Sequence, residues 1–180
     1  VYEMTYIQHY CSPLGGILLA ADETGLTGLW FDGAKYYADN LPKEPIEQET
    51  PVLSATKRWL DLYFAGCEPD FLPPLHPIGS PFRQAVWDIL LRIPYGQTTT
   101  YGEIARQVAK QQGLDRMSAQ AVGGAVGHNE ISVIIPCHRV VGTNGSLTGY
   151  AGGIDKKVKL LQLEQANMSS LFVPKKGTAL

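Results

Sequence analysis

Short apolar runs alternate with turn clusters over the first thirty residues: MTYIQHY, then CSPLGG, ILLAA, DETG and LTGLWF. Strand-length runs bounded by Gly, Pro, Asp and Ser predict a β-meander. The period then changes. TPVLSATKRWLDLYFAG predicts a helix with Thr50 as N-cap, Pro51 at the first helical position and Gly66 as the stop. Its expected inner face carries Val52, Ala55, Trp59 and Leu62. Residues 68–81, EPDFLPPLHPIGSP, hold five prolines and read as a linker, which makes 68–79 the best domain boundary.

Beyond it the pattern is of several short helices. Ser80 caps one that starts at Pro81 and runs through Phe82, Val86, Trp87 and Leu90 to about Arg92. IPYGQTT turns the chain, and Thr100 with Glu103 forms a capping box for a helix that buries Ile104, Ala105 and Val108. Ser118 caps AQAVGGAVG, a stretch nearly without bulk. Two short helices joined by a turn read as helix-turn-helix, and the same small residues also let two helices approach closely. ISVII reads as a buried strand leading into Pro136, Cys137 and His138. DKKVKLLQLEQA is a closing amphipathic helix that carries Glu164, and residues 169–180 form a loose tail.

With 44% hydrophobic residues in 180, the chain can bury a core in one domain or two small ones. Cys11, Cys67 and Cys137 are an odd number, far apart, with no CxxC pair, which favours a reducing cytoplasm over a disulfide scaffold. No run approaches the roughly 20 apolar residues of a membrane span, and VYEMTYIQHY lacks the basic-then-apolar order of a leader. A soluble, cytoplasmic protein is expected. The net charge of −2 hides an asymmetry: residues 1–79 carry a net −7 and residues 80–180 a net +5. That split fits either ordinary scatter or a C-terminal half that meets a polyanion.

Cys137 is the sharpest candidate for chemistry. A cysteine after an apolar β-branched run is often a small buried hydrophobe, whereas a reactive one must be thiolate and needs a cation or base nearby. His138 and Arg139 are adjacent in sequence, but neighbours along a strand point to opposite faces, so coupling requires a turn or a bridging water. Glu164 is a plausible second partner for the histidine. His9, His76, His128 and His138 show no ligand spacing, so no metal is expected. No papain-like CGSCW signature occurs either.

IPCHRVVG at 135–142, IPYGQTTTYGEIA at 93–105, AVGGAVGHN at 121–129, GYAGG at 149–153 and LLQLE at 160–164 together resemble the O6-alkylguanine-DNA alkyltransferases, the methylated-DNA–protein-cysteine methyltransferase family. The likeness covers most of residues 80–165, and is looser in the N-terminal half. It implies an α/β (α+β) protein: a ribonuclease-H-like scaffold domain over 1–79, then a winged-helix-like, DNA-binding alkyltransferase domain over 80–168. It also implies a monomer without cofactor that binds double-stranded DNA carrying O6-alkylguanine or O4-alkylthymine. Cys137 would accept the alkyl group once. By the same resemblance His138 would draw the thiol proton through a water and Glu164 would orient the imidazole. Asn129 would brace the turn, and Tyr101 would donate towards the departing base. Val140, Tyr150, Ala151 and Gly152 would form the base pocket. Tyr101, Gln120, Ala121 and Gly124 would meet DNA.

The chain departs from the family pattern in places. Gln120 stands where many relatives have an arginine, and Arg116 is a weak candidate to compensate. Glu130 replaces a frequent proline and would put negative charge beside the reactive strand. Asp22 and Thr27 occupy the approximate positions of zinc ligands found in some relatives. Two other readings are a lesion-binding protein without transfer, against which the retained Cys137 argues, and a helix-turn-helix regulator.

Overall fold

The computed structural model describes residues 4–174. It contains two compact units, one formed by residues up to Ile78 with Glu130–Ile134, the other by Gly79–Asn129 with Ile135 onward.

The first unit is an α/β layer. Strands β1 (Tyr6–Ser12), β2 (Gly15–Ala21) and β3 (Leu26–Phe31) form the antiparallel meander, and a short β4 (Ile46–Glu47) adds parallel to β1, in the order β3-β2-β1-β4. Residues 43–47, KEPIE, offered no apolar run from which β4 could be read. Helix α1 (Pro51–Phe64) has its N-terminus capped by Thr50, whose hydroxyl accepts from Leu53 N–H, and Gly66 follows at φ +86°. Its inner face is rotated from the expected one: Leu53, Thr56, Trp59, Leu60 and Tyr63 are buried, while Leu62 is 40% exposed. The stacked pair Trp59–Tyr63, centroids 5.1 Å apart, brings more apolar area inside than Leu62 would, and Thr56 satisfies its hydroxyl on the Val52 carbonyl at 2.8 Å.

The edge strand β3 does not stay bare. Leu26 N–H donates to Pro74 O (2.8 Å) and His76 N–H to Leu26 O (2.7 Å), so part of the proline-rich linker is strand-like pairing. Farther along β3, Leu29 N–H donates to Glu130 O (2.8 Å) and Ser132 N–H to Leu29 O (3.1 Å). Covering an edge removes a site for unwanted strand addition. The expected ISVII strand is reduced to this single pairing at Ile131. Ile134 N–H bonds back to Ser132 O at 2.8 Å around Val133, which sits at φ +70°. That three-residue turn ends any strand, in a conformation β-branched residues rarely adopt.

The second unit is mainly helical: α2 (Pro81–Leu91), α3 (Tyr101–Gln111), α4 (Ala119–Gly127) and α5 (Ile154–Leu163), with a parallel two-stranded ribbon of β5 (Thr99–Thr100) and β6 (Val140–Val141). Ser80, Thr100 and Ser118 each cap their helix through the side-chain oxygen. Of the capping box at α3 the Thr100 half is formed, while the Glu103 carboxylate turns to Arg106 and Gln107. Trp87 on α2 donates its indole N–H to Ala125 O of α4 at 2.9 Å, tying these helices at a small-residue contact. Val141, Leu147, Leu161 and Ala166 build a second core around α5. The tail is not loose throughout, because Leu147 N–H donates to Phe172 O at 2.8 Å; its residues 175–180 lie outside the described residues. Among the described residues no helix is long and apolar enough to cross a membrane.

Candidate active site

Cys137, His138 and Arg139 form one turn of 3₁₀ helix rather than the end of a strand, closed by Arg139 N–H on Pro136 O at 3.0 Å. All three are buried. The sequence places them after a strand because ISVII is apolar and β-branched, a composition that does not reveal the turn at Val133.

Glu164, the C-cap of α5, organises the polar groups around this turn. Its Oε2 lies 2.6 Å from His138 Nε2, its Oε1 accepts from Arg139 Nε at 2.8 Å and from Gly96 N–H at 3.0 Å, and Arg139 Nη2 donates to Oε2 at 3.1 Å. Arg139 Nη1 also donates to Ile93 O at 2.8 Å. Burial pushes the Glu164 carboxyl up, but the hydrogen bonds and charges of His138 and Arg139 outweigh it and hold the group well below the usual carboxylate range. An ionised carboxylate only accepts, so His138 Nε2 carries the proton and Nδ1 presents a lone pair. His138 Nδ1 is buried and has no hydrogen-bond partner among the described residues. Burial also pushes the imidazole pKa down, against the pull of Glu164, so His138 rests neutral and is ready to accept a proton.

The thiol itself is not an exposed thiolate. Cys137 is 5% exposed and burial raises its pKa, while the Asn129 side chain, Lys157 and the backbone N–H groups of Cys137 and His138 act to lower it. Asn129 Nδ2 donates to Ile135 O at 2.8 Å, which closes the loop leading to Cys137.

Lys157 is the residue that sequence reading missed. It is fully buried on α5, and its ammonium donates to Val140 O at 2.6 Å and to Thr148 O at 2.8 Å. Burial pulls its pKa down to about 8, partly countered by Cys137. A signal existed in DKKVKLLQLE: Lys157 stands three residues after Ile154 and four before Leu161, on the apolar stripe of the helix. Among the described residues the buried charged groups of this unit are then Arg139, Lys157 and Glu164. Arg139 and Lys157 stand against one carboxylate, Glu164, and the Lys157 charge favours the thiolate form of Cys137. A buried thiolate needs such a cation close by.

The remaining candidates are placed as follows. Tyr101 is buried, its hydroxyl donates to Thr148 O at 3.1 Å, and burial followed by the neighbouring Cys137 raises its pKa, so it stays protonated. Tyr150 is buried with its ring edge-on to His138, centroids 6.4 Å apart, and Ala151 and Gly152 are half-buried in the adjoining turn. Val140 has both backbone groups engaged, its N–H on Cys137 O and its carbonyl on Lys157. Gln120, Ala121 and Gly124 share the exposed side of α4, opposite buried Val122, Ala125 and Val126. Arg116 is exposed and lines a surface cleft of about 550 Å³ with Arg106 and Lys110.

Glu130 was expected to put its charge beside the reactive strand. It belongs to the first unit, where its Oε2 accepts from Trp30 Nε1 at 2.6 Å. Asp22 pairs with His76 at 2.6 Å and caps the turn at Thr24 and Gly25, while Thr27 is buried in β3. No group of three or more His, Cys, Asp or Glu residues suited to a metal occurs among the described residues.

The chain as a whole resembles known proteins. Residues 81–166 match the family model of the 6-O-methylguanine DNA methyltransferase DNA-binding domain, and residues 5–77 match that of its ribonuclease-like domain. A methylated-DNA–protein-cysteine methyltransferase from Methanosarcina acetivorans is 43% identical over 88% of this chain and 97% of its own length. One from Haemophilus influenzae is 41% identical over 89% and 86%. A solved structure described as Mycobacterium tuberculosis OGT in complex with DNA superposes with a TM-score of 0.76 at 39% identity, covering 89% of this chain and 92% of that one.

Proposed function

The chain belongs to the family of methylated-DNA–protein-cysteine methyltransferases, and from that membership we propose that it repairs alkylated double-stranded DNA by direct reversal, with Cys137 as the acceptor. The observation that carries the reading is a retained Cys137 next to a buried His138–Glu164 pair, with the buried cation Lys157 favouring its thiolate.

The thiol proton passes to His138 Nδ1 through a water, and Glu164 stabilises the imidazolium that results. The sulfur attacks the alkyl carbon, the carbon–O6 bond breaks, and its electron pair leaves with the guanine. Tyr101 moves its hydroxyl from Thr148 O to the base and donates a hydrogen bond where negative charge develops. The proton held on His138 balances the one the guanine anion takes up, so the transfer is proton-neutral overall. A thioether is stable, so each molecule reacts once. O4-alkylthymine offers the same carbon-to-oxygen bond.

A stacked base cannot bring its alkyl carbon in line with a buried sulfur, so the nucleotide must leave the duplex, at a cost of a few kcal/mol. The exposed face of α4 is the surface that approaches the groove, with Gln120 directed to the vacated space and Val140, Tyr150, Ala151 and Gly152 around the extrahelical base. Functionally, residues 1–79 act as the scaffold and 80–168 as the transfer and DNA-binding domain of a monomer. A free, ionisable acceptor suits a reducing compartment, the cytoplasm.

Incubating the protein with duplex DNA containing O6-methylguanine and weighing it intact is expected to show one added methyl group, mapped by peptide mass to Cys137. Folded protein with no adduct overturns the proposal.

A further inference from the structure

We infer that residues 167–172 are a strap that fixes the 142–150 loop and so limits the base pocket to small alkyl adducts, with Gly145 and the backbone of Phe172 as the contacts that set this specificity. The inference rests on the reading of Cys137 as the acceptor and of Tyr150, Ala151 and Gly152 as the border of that pocket. All of these residues belong to the second unit.

The strap begins with the ending of α5. Glu164 is the C-cap, Gln165 takes the left-handed region at φ +58°, its N–H bonds Gln162 O at 3.0 Å, and Ala166 N–H reaches back to Leu161 O at 3.0 Å. This pair of bonds is a Schellman ending, and Ala166 meets Leu161 in the core as that ending favours. A second turn follows at once. Asn167 Oδ1 accepts from Ser169 N–H at 3.1 Å and from Ser169 Oγ at 2.7 Å, and Leu171 N–H closes on Met168 O at 3.1 Å. Together the two turns send the chain back across the 142–147 turn.

There the contact is backbone against backbone. Leu147 N–H donates to Phe172 O at 2.8 Å, and Phe172 N–H donates to Gly145 O at 3.1 Å. Gly145 sits at φ +90°, and a methyl group on it would lie 2.0 Å from Ser170 O, so any other residue would push the strap away. Met168 and Leu171 pack on the core that holds Leu147. The Phe172 ring is 45% exposed, so its backbone and its neighbours hold the strap in place.

Thr148 follows Leu147, and its carbonyl accepts from Tyr101 at 3.1 Å and from Lys157 at 2.8 Å. Two residues further on, the Tyr150 ring lies edge-on to His138. The segment that leads into the pocket border is thus tied to the strap at 147 and to α3 and α5 at 148. A bulky adduct needs that border to retreat. Packed, hydrogen-bonded backbone does not retreat freely, so the pocket admits a methyl group and resists a benzyl group.

Phe172→Pro removes the N–H given to Gly145, Gly145→Ala forces the strap off its turn, and Phe172→Leu keeps both backbone bonds. For each and for wild type, transfer to Cys137 is timed per folded molecule on the same duplex carrying either O6-methylguanine or O6-benzylguanine. Alkylation of Cys137 by iodoacetamide and by its N-benzyl derivative, located by peptide mass, and the thermal midpoint are measured beside it. The benzyl-to-methyl ratio is expected to rise about five-fold or more in Phe172→Pro and Gly145→Ala, and to stay within about two-fold of wild type in Phe172→Leu. The ratio of bulky to small reagent should follow the same order. Lower thermal midpoints with both ratios unchanged, or equal slowing of both transfers, would overturn the inference and leave the strap a stability role only. If wild type forms neither DNA-derived adduct, the repair reading fails, and the reagent ratios still decide whether the strap limits the space in front of the thiol. If Gly145→Ala does not fold, Phe172→Pro carries the test.

Discussion

Two regions of the second unit are built on opposite terms. Around Cys137 the large polar groups are turned inward and answered by one another: Glu164 by His138, Arg139 and Gly96, and Lys157 by two carbonyls. The outer face of α4 is the reverse. Gln120, Ala121 and Gly124 are exposed, and a methyl group added at Gly124 or Gly127 would meet nothing within 4 Å. Glycine inside a helix costs about 1 kcal/mol relative to alanine. The inner cluster is thus explained by the protein's own contacts, while the exposed face of α4 is the one proposed above to take its occupant, duplex DNA, from outside the chain.

The largest break in that contrast is Glu164→Ala. It leaves Arg139 as a buried cation without its carboxylate, for which about 3–5 kcal/mol of stability is expected to be lost in denaturant unfolding. Transfer should fall as well, by about a hundred-fold or more, because His138 loses the group that orients it. The pH sign follows from the lowered Glu164 pKa. Its contribution is present above the ordinary carboxylate range and is lost as pH falls, so wild type should lose stability in acid more steeply than the variant. A loss under about 1 kcal/mol would place Glu164 among ordinary surface pairs and dissolve the contrast.

Lys157→Met sharpens it from the other side. The folded pKa of Lys157, about 8, lies below its ordinary 10.5, so the folded state binds fewer protons across that window and stability from this group rises with pH. The difference between wild-type and variant stability curves should therefore climb by about 3 kcal/mol between pH 8 and 10.5. Cys137, whose pKa is raised, contributes with the opposite sign in both proteins. At neutral pH methyl transfer by the variant should be about ten-fold slower, since the thiolate loses its nearest uncompensated cation. Superimposable transfer rates would remove Lys157 from the acceptor's surroundings.

Elements with strong local signals were legible in the sequence. The caps at Thr50, Ser80, Thr100 and Ser118 are short-range side-chain-to-backbone bonds, and each formed where its spacing indicated. His138 and Glu164, brought together at 2.6 Å, were paired as candidate base and orienting carboxylate from the chemistry a reactive cysteine needs, and the family motifs then gave each its role. What could not be read depends on long-range pairing. The rotated face of α1 follows from where Trp59 and Tyr63 find the sheet, and β4 exists only because β1 offers an edge. The turn at Val133 contradicts its own residue preference and is imposed by Leu29, about a hundred positions earlier. Glu130 likewise has a partner distant in sequence. Its sequence neighbours are near the thiol, but its partner is Trp30.

The smallest expected effect tests the bare face itself. Gln120→Arg places a cation on an exposed position of α4, so folding stability should change by less than about 0.5 kcal/mol. If duplex DNA is the missing occupant, the arginine gains about one phosphate contact, and the plot of log affinity against log salt concentration steepens by about 0.9. Affinity should tighten at low salt and converge with wild type as salt rises, because only released counterions distinguish the two proteins. Binding is best measured with unmodified duplex, which separates this electrostatic gain from capture of the lesion. Parallel salt plots would mean that DNA does not lie along Gln120, and the small residues of α4 would then need an occupant of a different kind.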